Sequence, residues 1–171
     1  MSPVASPVTT VTAWGAAAAV VDPEMPMLTL ADLGVLREVA VDGRRVEVTL
    51  TPTYSGCPAL ATMRDDVVRS LARAGWDDVA VRVRLDPPWS TDDITPAGHA
   101  ALRAAGVSPP GPRTVHDGPV PLSLGPVRRA VACPRCGALG AALVSEFGPT
   151  ACTAVYRCGD CLEPFEHVKE H

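Results

Sequence analysis

The apolar residues change period along this chain, and each change marks an element. Ala13–Val21 is a run of small apolar residues that reads as a first helix. It is stopped by Asp22-Pro23-Glu24-Met25-Pro26, whose two prolines, three residues apart, cannot continue a helix. Val39 and Val41 alternate with polar neighbours, Asp42-Gly43 follows, and Val46, Val48 and Leu50 alternate again. Asp-Gly between two period-two runs predicts a hairpin. The period then becomes helical, with Leu60, Met63, Val67, Leu71 and Ala74 on one face and Gly75 as the stop. Val79, Val81, Val83 and Leu85 alternate with polar residues once more, so a third strand returns parallel to the second after a right-handed crossover. Thr95-Pro96 starts a last short helix that ends near Gly106.

These elements predict a mixed α/β fold (α+β or α/β), a small three-stranded sheet in the order α-β-β-α-β-α. Residues 1–12, rich in Pro, Ser and Thr, read as a disordered N-terminus, and the α/β domain as 13–107. The six prolines of residues 108–127 leave no apolar period there, which predicts a linker. Residues 128–171 form a separate cysteine-rich module.

In that module, Cys133-x2-Cys136 and Cys158-x2-Cys161 have the spacing of a four-thiolate zinc ribbon. Each Cys-x-x-Cys turn aims two sulfurs at one point, with Gly137 and Gly159 permitting the turns, and the intervening hairpin brings the second turn back to the first. A module this small cannot build a sufficient core alone, and a metal is a suitable staple. Four thiolates leave no open coordination position, so the zinc is expected to be structural; tetrahedral sulfur also suits iron.

Composition narrows the function classes. The net charge of the 171 residues is −4, a poor match to nucleic acid or an anionic membrane. The ribbon sets Arg128, Arg129, Arg135, Arg157 and Lys169 against Glu146, Asp160, Glu163, Glu166 and Glu170. Protein docking therefore suits it better than phosphate binding. Ala13–Val21 is too short to span a bilayer and no basic residue precedes it, so a cytoplasmic protein with reduced thiols is expected. No P-loop, dinucleotide-binding glycine pattern or Ser/His/Asp spacing is present, and the reading is of an accessory protein rather than an enzyme.

Two of the six cysteines stand outside the paired set. Cys57 lies where a strand ends and Pro58 opens a helix, a place where backbone N–H groups favour thiolate; it is either a functional thiol or a small buried residue. Cys152, about 20 Å from Cys158 along an extended strand, is too far away to share the metal, which leaves packing, a second metal or a partner contact. Asp22 and Glu24 either end the first helix or tune Cys57. Trp89 is a core residue or a partner anchor, beside a capping box of Ser90 and Asp93. His99, His116, His167 and His171 show no ligand spacing and are expected at the surface.

Over residues 14–95 the chain resembles the SufT-like family of metal–sulfur cluster assembly factors. Asp22-Pro23-Glu24, Asp32-Leu33-Gly34, Cys57-Pro58 and Pro88-Trp89-Ser90 stand where that family has them. With "DITPAGHAALRAAGVSPP", the Pro-rich stretch and "CPRCG…CGDCLEPFEHVK" added, all but the first dozen residues resemble the D-protein family of bacterial phenylacetyl-CoA epoxidase systems. The resemblance implies maturation of metal-containing clients in aerobic phenylacetate breakdown: a di-iron oxygenase, and a reductase carrying flavin and a [2Fe–2S] cluster. Iron–sulfur carriers are further possible partners. It implies Cys57 as the functional thiol, Asp22, Glu24 and Trp89 as supporting positions, Cys133, Cys136, Cys158 and Cys161 as zinc ligands, and Cys152 as an extra thiol of the subgroup. A [2Fe–2S] cluster takes four protein ligands. Cys57 supplies one per subunit, or two in a homodimer, so transient handling of a cluster is expected rather than storage. The competing expectation is a non-catalytic structural subunit of the epoxidase.

Overall fold

The computed structural model describes residues 7–111 and 130–170. Contacts divide the chain into two compact units, one running through Ala101 and the other from Leu102 to Glu170. Most of the stretch read as a linker, with His116, lies outside the described residues, as does His171.

Up to Ala104 the chain has the expected element order: helix α1 (Pro7–Ala18), strands β1 (Leu36–Asp42) and β2 (Arg45–Leu50), helix α2 (Leu60–Arg73), strand β3 (Asp78–Val83) and helix α3 (Pro96–Ala104), whose last turn falls beyond the first unit. β1 and β2 are antiparallel, with Asp42 paired to Arg45. The loop residues are therefore Gly43 and Arg44, and Gly43 adopts the left-handed φ of 59° that glycine tolerates without steric cost. β2 and β3 run parallel, pairing Val46 with Val79, Val48 with Val81 and Leu50 with Val83. Because side chains alternate across a strand, this register puts the valines and Leu50 on one face. Val46, Val48 and Leu50 are buried, as are Met63, Val67 and Leu71 of α2.

Residues 7–12 are helical rather than disordered, and α1 ends at Ala18 instead of Val21. Proline is well placed at a first helical position. At the other end Val21 is drawn out of the helix by a β-bridge to Thr29.

Beyond β3, the buried Trp89 donates its indole N–H to the Leu33 carbonyl at 2.8 Å. The capping box of Ser90 and Asp93 is present, opening a short 3-10 turn (Thr91–Asp93). Asp93 also pairs with Arg37 at 2.7 Å. Asp32 ties two segments together by accepting hydroxyl hydrogen bonds from Thr29 at 2.7 Å and Thr95 at 2.9 Å. These contacts pin the loop before β1 to the start of α3.

The second unit is a four-stranded sheet ordered β4-β7-β6-β5. Its strands are β4 (Val107–Ser108), β5 (Ala141–Ser145), β6 (Thr153–Cys158) and β7 (Pro164–Val168). The β5–β6 hairpin is the one the cysteine spacing requires. β4 was not expected: Val107 and Ser108 pair parallel with Glu166 and His167, so the apparent start of the linker is part of this sheet. His167, expected at the surface, is buried, with Nδ1 3.2 Å from the Ser108 carbonyl and its ring edge-on to Tyr156. Val131, Cys133, Ala154, Tyr156, Cys158 and Phe165 form a small apolar cluster in this unit, and Leu102, Val107, Cys152 and Val168 are buried as well.

Candidate metal centre and functional thiol

The two cysteine turns are built alike. The Cys133 amide donates to the Ala138 carbonyl at 2.8 Å, and the Cys158 amide donates to the Glu163 carbonyl at 3.0 Å. In both, the residue after the second cysteine is left-handed: Gly137 at φ 79° and Leu162 at φ 62°. Gly159 has a different role from the one expected. A Cβ there would come within 2.7 Å of the Gly140 carbonyl, so glycine allows the second turn to lie against the strand entering β5.

The sulfurs of Cys133, Cys136, Cys158 and Cys161 all lie within 4.8 Å of one another. Cys133 and Cys161 are 3.7 Å apart, and Cys136 and Cys158 are 3.6 Å apart. A tetrahedron with metal–sulfur bonds of about 2.3 Å has edges of about 3.8 Å, so the donor set fits zinc. Electrostatics point the same way. The backbone N–H of Cys161 leads in holding the Cys158 thiol down to about 7. Cys161 is pushed up to about 12: the Glu163 N–H lowers it, but burial and the three neighbouring sulfurs outweigh that. Without a cation four adjacent thiolates repel one another, whereas a metal lets all four ionise. Among the described residues, this is the one group of three or more Cys, His, Asp or Glu side chains close enough to hold a metal.

Cys57 belongs to the other unit and is half-buried in the turn before α2. Its amide donates to the Tyr54 carbonyl at 3.3 Å, and α2 begins at Leu60 rather than at Pro58. The helix start does direct N–H groups at the sulfur, but the net effect is the reverse of the sequence expectation. Burial pushes the Cys57 thiol up; the Ala59 N–H lowers it, the carboxylates of Glu24 and Asp22 raise it further, and the Leu60 N–H lowers it. Asp22, Glu24 and Cys57 are thus electrically coupled across a gap in sequence that local patterns do not reveal.

Asp22 does not end α1, which stops at Ala18; it holds the turn that follows. It is buried, and its Oδ1 accepts the amide hydrogens of Glu24 and Met25, both at 2.8 Å. Burial nevertheless raises its carboxyl pKa. Burial also raises that of Glu24, with the Asp22 charge adding to it. A carboxyl raised by folding favours the protonated state, so its stabilising contribution is present at acid pH and lost as pH rises through the folded pKa. Asp22→Asn keeps an oxygen for both amides and removes the charge. It is therefore expected to be no less stable than the parent at neutral pH and to lower the Cys57 pKa, as is Glu24→Gln. The rate of iodoacetamide alkylation against pH in zinc-loaded protein checks this: both variants should react faster at pH 7.

Trp89 anchors the core through Leu33. Cys152 is buried, with its sulfur 3.1 Å from the Thr150 hydroxyl, and stands outside the four-sulfur cluster. Sequence reading missed the Thr29–Asp32–Thr95 network and the Arg37–Asp93 pair, which bring together residues some sixty positions apart.

Residues 12–85 match the family described as iron-sulfur cluster assembly protein, and residues 117–169 match the PaaD zinc beta ribbon domain. An Escherichia coli (strain K12) protein named for the D component of a 1,2-phenylacetyl-CoA epoxidase is 40% identical over 156 residues, covering 91% of this chain and 90% of that one. The Fe-S protein maturation auxiliary factor YitW of Bacillus subtilis (strain 168) is 32% identical over 90 residues, which is 52% of this chain and 87% of the relative. A crystal structure of a domain of unknown function, DUF59, from Bacillus anthracis superposes with a TM-score of 0.52 at 26% identity, covering 56% of this chain and 92% of that one. No helix among the described residues is long and apolar enough to cross a membrane.

Proposed function

Since the chain belongs to the D-protein family of phenylacetyl-CoA epoxidases, joining an iron–sulfur cluster assembly domain to a PaaD zinc ribbon, we propose that it is an accessory factor that delivers iron–sulfur material, or iron, to a metal-containing subunit of the epoxidase. Cys57 is the thiol that engages the cargo. The four-cysteine ribbon holds zinc as a structural element and docks the client.

One observation carries this reading: Cys57 is a half-buried thiol set apart from the four paired cysteines and coupled to two carboxylates. Burial does most to keep the thiol protonated, and the two negative charges that add to it also attract a cation by the same Coulomb interaction. When a soft metal arrives, the sulfur gives up its proton and the N–H groups of Ala59 and Leu60 stabilise the thiolate. Until then, the protonated thiol is protected from oxidation. One sulfur cannot satisfy a [2Fe–2S] cluster, which takes four ligands, so the client or a carrier completes the set and the cargo passes on.

Cys57→Ser is expected to leave the fold and the zinc content unchanged and to lower [2Fe–2S] occupancy, read by its visible absorbance, in a co-expressed epoxidase reductase. Full occupancy would remove Cys57 from the mechanism. A purely structural subunit, the role the name of the Escherichia coli relative suggests, predicts full occupancy together with stoichiometric co-purification.

A further inference from the structure

The four ribbon cysteines differ in their access to water. The first of each turn is buried: Cys133 is 2% exposed and Cys158 1%, and both pack in the apolar cluster with Val131, Tyr156 and Phe165. The second of each turn, Cys136 and Cys161, is exposed. Each exposed cysteine also sets its sulfur against the buried one of the other turn. Cys136 is 3.6 Å from Cys158, and Cys161 is 3.7 Å from Cys133. A closed four-thiolate site has no open metal position, so a reagent arriving from water meets sulfur rather than zinc. Thiolates within reach of solvent are the ones that oxidants attack first.

We infer that the ribbon is an oxidant-sensitive staple: a peroxide reacts at Cys136 and Cys161, each closes a disulfide onto the buried sulfur it faces, and the zinc is released. In the first step the exposed thiolate attacks one peroxide oxygen, the O–O bond breaks and hydroxide leaves, which makes the sulfur a sulfenic acid. In the second, the facing buried thiolate attacks that sulfur, the S–O bond breaks and a second hydroxide leaves. Two protons convert the hydroxides to water, and the sulfur pair has passed two electrons to the peroxide. The same sequence at the other pair removes the remaining two ligands. Both new bonds run between the turns, so the turns stay tethered and reduction returns four thiols within reach of one metal. Bonds within the turns, Cys133–Cys136 and Cys158–Cys161, would let them part. The switch needs only the zinc site and none of the chemistry assigned to Cys57, whose half-buried thiol is the slower target.

Titrating the full-length, zinc-loaded chain with hydrogen peroxide tests it, with released zinc read by a chromogenic chelator and disulfides mapped by mass spectrometry. Cleavage after Arg135, Glu146, Arg157 and Asp160 puts each cysteine of the ribbon on its own peptide. The expected result is loss of one zinc for two peroxides consumed, with Cys136–Cys158 and Cys133–Cys161 as the linked pairs and Cys57 still a thiol. Amide protection of β5–β7 should be lost with the zinc, and dithiothreitol with added zinc should restore both. Zinc retained while Cys57 is oxidised would overturn the inference. So would linkage within the turns, or sulfinic acids in place of disulfides.

Discussion

Replacing Cys158 by serine is expected to unfold the second unit and leave the first intact. The apolar cluster against the cysteine turns has six residues, and two of them, Cys133 and Cys158, belong to the four-sulfur set. Structural zinc in such modules contributes roughly 10–16 kcal/mol of folding free energy at neutral pH, comparable with the whole stability of an ordinary domain, about 5–15 kcal/mol. Losing one thiolate forfeits most of that, and the stacking of Tyr156 on Phe165 at 6.2 Å is too little to replace it. The first unit has its own core of Val46, Val48, Leu50, Val67 and Leu71. Limited proteolysis should therefore digest Cys158→Ser, or chelated wild type, back to a resistant fragment ending near Ala101. A variant that kept its β5–β7 amide protection without metal would contradict the stapled ribbon.

The largest effect in the first unit is expected from Gly34→Ala. Gly34 has φ 75°, and a Cβ placed there would lie 2.6 Å from Cβ and 2.8 Å from the carbonyl carbon of Asp93. The clash is with backbone fixed by the Ser90–Asp93 capping box and the Arg37 pair, so no side chain can swing aside. Left-handed strain and overpacking together give a loss of about 2–5 kcal/mol. In a domain of this size that lowers Tm by roughly 10 °C or more. Gly43→Ala is the control. Its φ of 59° is also left-handed, but nothing lies within 4 Å of the added Cβ. It should cost only the conformational strain, about 1–2 kcal/mol. Equal Tm values for the two would show that the Asp93 contact is not tight.

What could be read in advance follows the range of the forces involved. The strands and α2 announced themselves because burial on one face imposes a period, and Val46, Val48, Leu50, Met63, Val67 and Leu71 obey it. The four ribbon cysteines were legible because a metal fixes spacing within each turn. β4 was not legible, since two residues cannot display a period and the prolines after them read as linker. The burial of His167 was hidden for the same reason: it depends on pairing with Ser108, far away in the chain. The direction of the Cys57 shift was misjudged because the helix-start N–H groups are local while burial and the Asp22 and Glu24 charges come from tertiary structure. The start of α1 at Pro7 was obscured by composition, as Thr- and Pro-rich sequence outweighed proline's fitness for a first turn.

The central claim is a division of labour, with structural zinc on the four paired cysteines and cargo on Cys57. The most direct measurement is metal and acid-labile sulfide analysis after anaerobic incubation with ferrous iron and sulfide, wild type beside Cys57→Ser. The expected result is one zinc per chain in both proteins, with iron and sulfide retained below one cluster per chain by wild type and absent from the variant. Equal iron and sulfide in the two, or iron in place of zinc on Cys133, Cys136, Cys158 and Cys161, would contradict it.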